Sequence, residues 1–236
     1  MKDALLYPAV LLILTFLIIV AVGVYLVPPL TEAAGGEIIW RGAAASLVST
    51  SNFVSNYWHI VLFGIIGIFV VIWISLANWS GKLRFLFDFF PPWSLYKIFI
   101  SVGWMMSLAA MVQSGGSLPV SIKILADNSG NYLKDILEHT LQNISNGDNL
   151  GRALNNTGAH FPNDEIIGDL VIYADMNNFD QNLSKIANDY LDSSVRKMEN
   201  ISNIMSSIGV LLISIVIAWV VFGTFEMQDQ ITSMFS

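Results

Sequence analysis

The sequence contains no cysteine and few charged residues. The absence of cysteine from all 236 residues excludes disulfides, thiolate nucleophiles, iron–sulfur clusters and cysteine-based zinc sites. Only 12% of the residues are charged, whereas 54% are hydrophobic, and a soluble domain carries about 25% charged residues. Lys and Arg number 11 against 18 Asp and Glu, a net charge of −7, so a broad nucleic-acid footprint is excluded as well. The composition indicates a membrane protein.

Three uncharged apolar stretches are long enough to cross a bilayer, namely residues 9–27, 60–77 and 208–225. A helix of this length extends about 27 Å, close to the thickness of the hydrocarbon core. Lipid offers no partner for backbone groups, so each stretch is predicted to be helical. The prolines at 28 and 29 are expected to end the first span. A cleaved signal peptide is the alternative for residues 9–27, although this apolar run is longer than usual.

The cations indicate the orientation of the spans. Most Lys and Arg residues near the span ends fall on one predicted side of the membrane. Lys2 precedes the first span, Lys82 and Arg84 follow the second, and Arg196 and Lys197 precede the third. Only Arg41 falls elsewhere. Because Lys and Arg near span ends stay on the cytoplasmic side, residues 1–8 and 78–207 are predicted to be cytoplasmic. The loop at 28–59 and the tail at 226–236 are predicted to be periplasmic.

A fourth apolar stretch, residues 98–112, leaves a second topology open. It is about 15 residues long, nearer to a buried helix of a soluble domain than to a span. If it crossed the membrane, the later cations up to Lys197 would lie outside, against the charge rule. We therefore predict three spans, with this stretch inside the cytoplasmic domain.

Residues 78–207 are predicted to form a six-helix bundle. Apolar residues recur with helical spacing, and no strand-like alternation is present. Asn131 and Asn163 are expected to cap helices, and Pro119 to lie in the first turn of another. The predicted helices cover residues 94–114, 117–128, 131–146, 149–157, 163–176 and 180–207. Neither Pro nor Gly interrupts the last helix before Gly209, so it should run unbroken into the third span.

No residue pattern points to catalysis or to a cofactor. The three histidines, His59, His139 and His160, are isolated and belong to no metal-binding motif. Asp164 and Glu165 follow a proline in a predicted first turn, where carboxylates stabilise the helix dipole. We therefore predict no enzyme, no catalytic residue, no metal and no cofactor. The spans also lack the ionisable residues that transport generally requires.

Several short motifs occur in the order found in one known family. They are KDALLYPA at 2–9 before a span, SNFVSNYW at 51–58 before the next, SGGSL at 114–118, NGDNL at 146–150, and Phe161 with Pro162. In this order the chain resembles the inner-membrane platform proteins of type IV pilus and type II secretion machines, the secretion-system F family. The resemblance covers nearly the whole chain, and each motif alone is short.

Two departures from the family pattern stand out. Residues 174–178 read ADMNN where the family has a Gly-Glu-x-x-Gly signature, so that Asp175 keeps a carboxylate but both glycines are replaced. Family members usually carry an earlier copy of the helical domain, so the resemblance implies a carboxyl-terminal portion, a short variant or a truncated form. It also implies candidate partner-binding residues, which are Ser114, Gly115, Gly116, Gly147 and Asp175.

The resemblance implies a non-enzymatic platform in the bacterial inner membrane. Its expected partners are a cytoplasmic assembly ATPase, the transmembrane segments of pilins or pseudopilins, other inner-membrane assembly proteins and further copies of the chain, forming a homo-oligomer. Nucleic acid is not expected as a partner. Two other functions stay open, a small transporter or channel subunit and a membrane-anchored adaptor unrelated to pili.

Overall fold

The computed structural model describes residues 2–35, 39–174 and 178–235, and these residues contain helices and no strands. The helices are α1 (Lys2–Ala21), a π-helical turn (Val22–Leu26), α2 (Val27–Ala33), α3 (Gly42–Asn78), α4 (Lys82–Phe87), α5 (Trp93–Gln113), α6 (Leu118–Asp127), α7 (Asn131–Ser145), α8 (Leu150–Asn155), α9 (Asp164–Tyr173) and α10 (Phe179–Phe235). The all-α membrane fold predicted from the sequence is confirmed.

The chain divides into two compact units. The first comprises Met1–Ile68 and Glu199–Ser236, and the second comprises Phe69–Met198. The first unit has a small core of its own, formed by four buried side chains: Val27, Ala44, Leu47 and Met227. Towards its surface, the indole N–H of Trp219 donates a hydrogen bond to the hydroxyl of Ser46 over 2.8 Å. Residues far apart in the sequence therefore hold the first unit together.

The prolines at 28 and 29 do not end the first helix, contrary to the sequence prediction. Helix α1 passes through the π-helical turn and continues as α2, with the prolines in the first turn of α2. In the π-helical turn the N–H of Val27 bonds to the carbonyl of Val22, one residue farther back than in an α-helix. Pro28 and Pro29 offer no N–H to the next carbonyls. The turn therefore accommodates the two missing donors without ending the helix.

The carbonyl of Gly23, which loses a donor in this way, is satisfied by side chains of α3. The hydroxyl of Ser51 donates to it over 2.6 Å, and the hydroxyl of Ser55 lies 3.4 Å away. Hydroxyls of a neighbouring helix commonly pair with backbone groups that a proline leaves free inside a membrane. The contact also fixes α3 closely against the first helix, since a Cβ at Gly23 would lie 3.3 Å from Val54.

The segments predicted as a loop and a tail are largely helical. Helix α3 begins at Gly42, so most of residues 28–59 belongs to α2 or α3. Helix α10 likewise continues to Phe235, through the predicted tail at 226–236. Prolines and apolar length set the predicted boundaries, whereas polar residues also extend a helix when they find hydrogen-bond partners. Glu226, for example, accepts a hydrogen bond from the Ala44 N–H over 3.0 Å, at the start of α3.

The second unit contains the predicted helices with closely matching bounds. The predicted helices at 94–114, 117–128, 131–146, 149–157 and 163–176 correspond to α5 to α9, and α10 supplies the sixth. Their core includes Trp104, Met105, Leu108, Ile122, Tyr132, Leu137, Leu154, Phe161, Leu170 and Leu183. The short helix α4 was not predicted. Asn163 caps α9 as expected, whereas Asn131 is already inside α7 and Gly130 occupies the cap position.

Four helical segments among the described residues are long and apolar enough to cross a membrane. Three of them contain the predicted spans, and the fourth is α5. In its most apolar stretch, 39% of the α5 residues are buried, compared with 17%, 0% and 6% in the others. Helix α5 contributes Trp104, Met105 and Leu108 to the core of the second unit. Its apolar side chains thus have partners within the protein.

Helix α10 is continuous from Phe179 to Phe235 and includes the third apolar stretch. In its first part, one face is buried in the second unit, as the spacing of Leu183, Ile186 and Tyr190 predicts. The prediction that this helix runs unbroken into the third apolar stretch is confirmed.

Candidate functional site

The Ser114–Ser117 turn ends α5 with a pair of backbone hydrogen bonds typical of a glycine-terminated helix. The N–H of Gly116 donates to the carbonyl of Met111 over 2.9 Å, and the N–H of Gly115 donates to that of Val112 over 3.0 Å. Gly115 has a φ of 87°, which side chains rarely permit. A Cβ at Gly116 would lie 2.8 Å from the Met111 carbonyl oxygen. Both glycines are therefore explained by this Schellman motif, and Ser114 is exposed beside them.

A second Schellman motif ends α7. The N–H of Asp148 donates to the carbonyl of Asn143 over 3.2 Å, and the N–H of Gly147 donates to that of Ile144 over 3.0 Å. Gly147 has a φ of 101°, and both it and Asn146 are exposed. The SGGSL and NGDNL motifs thus both mark helix ends that require glycine.

The two turns lie at the same end of the α6–α7 pair. Helices α6 and α7 pack along their length and are joined by only three residues, ending with Gly130. A Cβ at Gly130 would lie 3.1 Å from the carbonyl oxygen of Ala77, near the end of α3. The turns at 114–117 and 146–149 lie at the opposite ends of these helices, about 15 Å and about 22 Å along their axes. Asp175, the fifth predicted residue, lies outside the described residues.

Gly151 is a structural residue that the sequence analysis missed. It lies in the first turn of α8, and a Cβ there would come within 2.2 Å of the Val171 backbone nitrogen in α9. Asn149 caps α8 by accepting a hydrogen bond from the Arg152 N–H over 2.9 Å. The backbones of α8 and α9 are thus in direct contact, which only glycine permits. The glycine directly after the NGDNL motif was the available signal.

A buried charged cluster, formed by Arg84, Asp88 and Tyr132, was also missed. Arg84 is fully buried and pairs with Asp88, four residues later in the chain. The phenol of Tyr132 donates to the other oxygen of Asp88 over 2.8 Å, and its ring lies 4.7 Å from the Arg84 guanidinium carbon. Arg84 is therefore not the solvated interfacial cation that the charge rule assumed. The cluster ties the segment around α4 to α7.

Burial shifts the pKa values of Asp88 and Tyr132 in this cluster. Burial raises the pKa of the Asp88 carboxyl, and the charge of Arg84 and the hydrogen bond from Tyr132 offset only part of that effect. Burial also raises the pKa of the Tyr132 phenol, and the adjacent Asp88 raises it further. The phenol consequently stays protonated and keeps its role as donor. An Arg and an Asp at i and i+4 within an otherwise apolar segment were the signal in the sequence.

At the start of α9, two titratable side chains contact each other. His160 Nδ1 lies 2.7 Å from a carboxylate oxygen of Asp164, and both side chains are exposed. Glu165 lies with Asp164 in the first turn of α9, as predicted. In the described part of the chain, no three His, Asp or Glu side chains come together in a group that could hold a metal ion.

The architecture defines an all-α membrane protein with a helical domain and long apolar helices. A sequence model described as type II secretion system (T2SS), protein F matches residues 104–225, just over half of the chain. The chain therefore belongs to the type II secretion system protein F family. Members of this family are membrane platform proteins of secretion and pilus machinery, generally without enzymatic activity. No curated protein and no solved structure matches the chain.

Proposed function

We propose that this protein is a non-enzymatic inner-membrane platform that couples a cytoplasmic assembly ATPase to the extraction of pilins or pseudopilins and to fibre assembly. The observation that carries the proposal is the family match over residues 104–225, which covers the second half of α5, all of α6 to α9 and most of α10. Energy would come from the ATPase, and the apolar helices would contact the pilin segments and other inner-membrane assembly proteins. The platform would act as a homo-oligomer.

The proposed topology has three spans, at residues 9–27, 60–77 and 208–225, with residues 78–207 in the cytoplasm. Helix α5 is not a span in this proposal because its apolar residues fill the core of the second unit. The orientation follows from Lys2, Arg196 and Lys197 and from Lys82, without a contribution from the buried Arg84.

This topology can be tested with single cysteines, because the chain contains none. Lys134→Cys should react with a membrane-impermeant maleimide only after the inner membrane of the cells is permeabilised. Ile39→Cys is the matched control: Ile39 is 84% exposed in the segment proposed to face the periplasm, and its cysteine should react before permeabilisation. Labelling of Lys134→Cys before permeabilisation, to the same extent as Ile39→Cys, would refute the topology.

We propose that the ATPase contacts the end of the α6–α7 pair that carries Ser114, Gly115, Gly116 and Gly147, together with Asp175. Two features support this. Residues 114–117, Asn146 and Gly147 are exposed, and both turns lie a helix length from Gly130 and the end of α3. Loops at the end of a domain away from its membrane attachment are accessible to a soluble partner.

Helix α10 is proposed to transmit the motion. It has no proline, and its described backbone is helical from the second unit into the third apolar stretch. A continuous helix passes on a tilt or rotation of one end, whereas a break would absorb it. The proposal therefore requires that the helix stay intact near Ser193.

The coupling can be tested by breaking α10 at two exposed positions. The variant Asp192→Gly with Ser193→Pro removes a helical hydrogen bond and costs about 3 kcal/mol or more locally. The control Asp192→Ala with Ser193→Ala removes the same two polar side chains but keeps the helix intact. With equal amounts of both proteins in the membrane, fibre assembly or secretion in the native host should be lost only in the first. Equal function of both variants would exclude coupling through α10.

A further inference from the structure

The segment around α4 is inverted in polarity. Arg84 is fully buried and Asp88 is 6% exposed, although charged side chains normally face outward. Large apolar side chains of the same segment face outward instead: Leu83 is 67% exposed, Leu86 63% and Phe89 74%. Phe90 and Phe87 are also exposed. Arg84 and Asp88 thus face the protein, and these apolar side chains face away from it.

This arrangement is unfavourable if the surroundings are water. Burying one large apolar side chain stabilises a protein in water by about 1.5–3 kcal/mol. Leu83, Leu86 and Phe89 do not contribute this stabilisation because they are exposed. Burying a charge is costly even when the charge is paired. The inversion is favourable only where the outside is less polar than the interior. A contiguous exposed apolar surface of this kind marks a site of contact with a membrane or a partner.

Aromatic contacts place the segment at the end of the apolar part of α3. The ring of Phe87 lies 5.1 Å from that of Trp79 and 5.2 Å from that of Trp93. The indole N–H of Trp93 donates to the hydroxyl of Ser75 over 3.1 Å. Ser75 precedes the last residue of α3, Asn78, by less than one turn. The segment is therefore folded back beside the last turn of an apolar membrane helix.

We propose that residues 83–90, here called the α4 segment, lie in the boundary between headgroups and acyl chains of the bilayer, with their apolar side chains inserted into lipid. Lipid is the occupant because Phe87 packs on Trp79, directly after the end of α3, and the last turns of α3 expose the large apolar side chains of Trp73 and Ile74. Tryptophans also flank it, and indoles favour this depth. The α4 segment is short, so several side chains must insert together, as in interfacial helices.

The buried charged cluster connects this anchor to the helical domain. Arg84 and Asp88 extend from the inner face of the α4 segment to Tyr132 in α7. Phe85 packs on the core of the second unit. A bilayer contact at the outer face would therefore hold the adjacent part of the second unit at a defined height. This inference goes beyond the proposed function and requires only that α3 spans the membrane.

Fluorescence quenching in vesicles tests the proposal with the full chain. Phe89→Cys would be labelled with bimane in the purified protein and reconstituted into phosphatidylcholine vesicles with a minor fraction of phosphatidylglycerol. We expect strong loss of fluorescence with a nitroxide near the headgroup and weaker loss with a nitroxide near the end of the acyl chain. Aqueous iodide should quench little. Leu86→Cys should behave in the same way, which guards against a local effect of one substitution.

Two further single-cysteine variants calibrate the depth. Val71→Cys, in α3 and 67% exposed, should be quenched best by the deep nitroxide. Ser145→Cys, at the exposed end of α7, should be quenched by iodide only. If Val71→Cys behaves as expected but both α4 probes respond as Ser145→Cys does, the proposal is overturned. Protection of both α4 probes from lipid and iodide alike would indicate a protein cover and would also overturn it. Iodide quenching at Val71→Cys would refute the span itself.

Discussion

Gly151→Ala should destabilise the helical domain, although alanine is the better helix former. The new Cβ would lie 2.2 Å from the Val171 backbone nitrogen and 2.6 Å from the Leu170 carbonyl carbon. The atoms it meets belong to backbone, so no side chain can rotate away. Contacts below 3.0 Å are essentially unknown for real Cβ atoms. Helices α8 and α9 would have to separate.

The size of the effect follows from two opposing contributions. Extending the closest contact from 2.2 Å to the 3.4 Å of ordinary contact moves the two backbones apart by about 1.2 Å. Overpacking of this kind costs typically about 1–3 kcal/mol, and a backbone clash belongs at the upper end. Replacing glycine by alanine in a helix returns at most about 1 kcal/mol. We therefore expect a net loss of about 2 kcal/mol in the free energy of unfolding.

Thermal unfolding of the purified full chain in detergent measures this change. Trp104 lies in the core of the second unit, 5.3 Å from the ring of Phe161, so tryptophan fluorescence reports on its packing. For a unit of this size, 1 kcal/mol corresponds to about 4 °C in Tm. The Tm of Gly151→Ala should therefore be about 8 °C lower than that of the parent protein.

Gly168→Ala provides the matched control. Gly168 lies in α9, is exposed, and has nothing within 4 Å of the position of its missing Cβ. Here only the helix propensity changes, so Tm should rise by about 4 °C or less. A Tm for Gly151→Ala equal to or above that of the parent, with Gly168→Ala behaving as expected, would refute the close contact between α8 and α9.

Two other substitutions test the contact between the first helix and α3 and the ion pair of the buried cluster. Ser51→Ala removes the hydroxyl that donates to the Gly23 carbonyl, and it should lower stability in a detergent titration by about 1 kcal/mol. Ser49→Ala, on the exposed side of the same helix, should change it little, and equal effects would contradict the contact. Asp88→Asn leaves Arg84 buried without a counter-ion, which should cost about 3–5 kcal/mol in the same assay. Arg84→Met combined with Asp88→Leu should recover most of that loss, and additive losses would argue against a coupled pair.

The helix pattern of the domain could be predicted because it depends on local chemistry. The apolar spacing and the cap at Asn163 each involve residues within a few positions of one another. The cap at the start of α7 was placed one residue late because Gly130 and Asn131 are both acceptable there, and only the contact of Gly130 with Ala77 distinguishes them. The ends of α5 and α7 were predicted to within one residue for the same local reason.

The residues that the sequence did not reveal depend on distant partners. Gly151 appears as an ordinary first-turn glycine until Val171, twenty residues later, is known to contact it. Arg84 appears as an interfacial cation until the ring of Tyr132, which comes much later in the chain, is known to lie over its guanidinium group. Neither contact leaves a periodic pattern in the sequence. A distant partner also explains why the prolines at 28 and 29 were expected to end the first helix. The Ser51 hydroxyl that pairs with the free carbonyl of Gly23 belongs to α3.

The π-helical turn in the first membrane helix has a mechanical consequence. A helix resists bending because each turn is tied to the next by backbone hydrogen bonds. Around Gly23 some of those ties are missing, and the hydroxyls of Ser51 and Ser55 replace them from outside the helix. How easily this membrane helix bends at Gly23 therefore depends on two hydroxyl groups of α3. Removing one of them would be expected to make the helix bend more easily there.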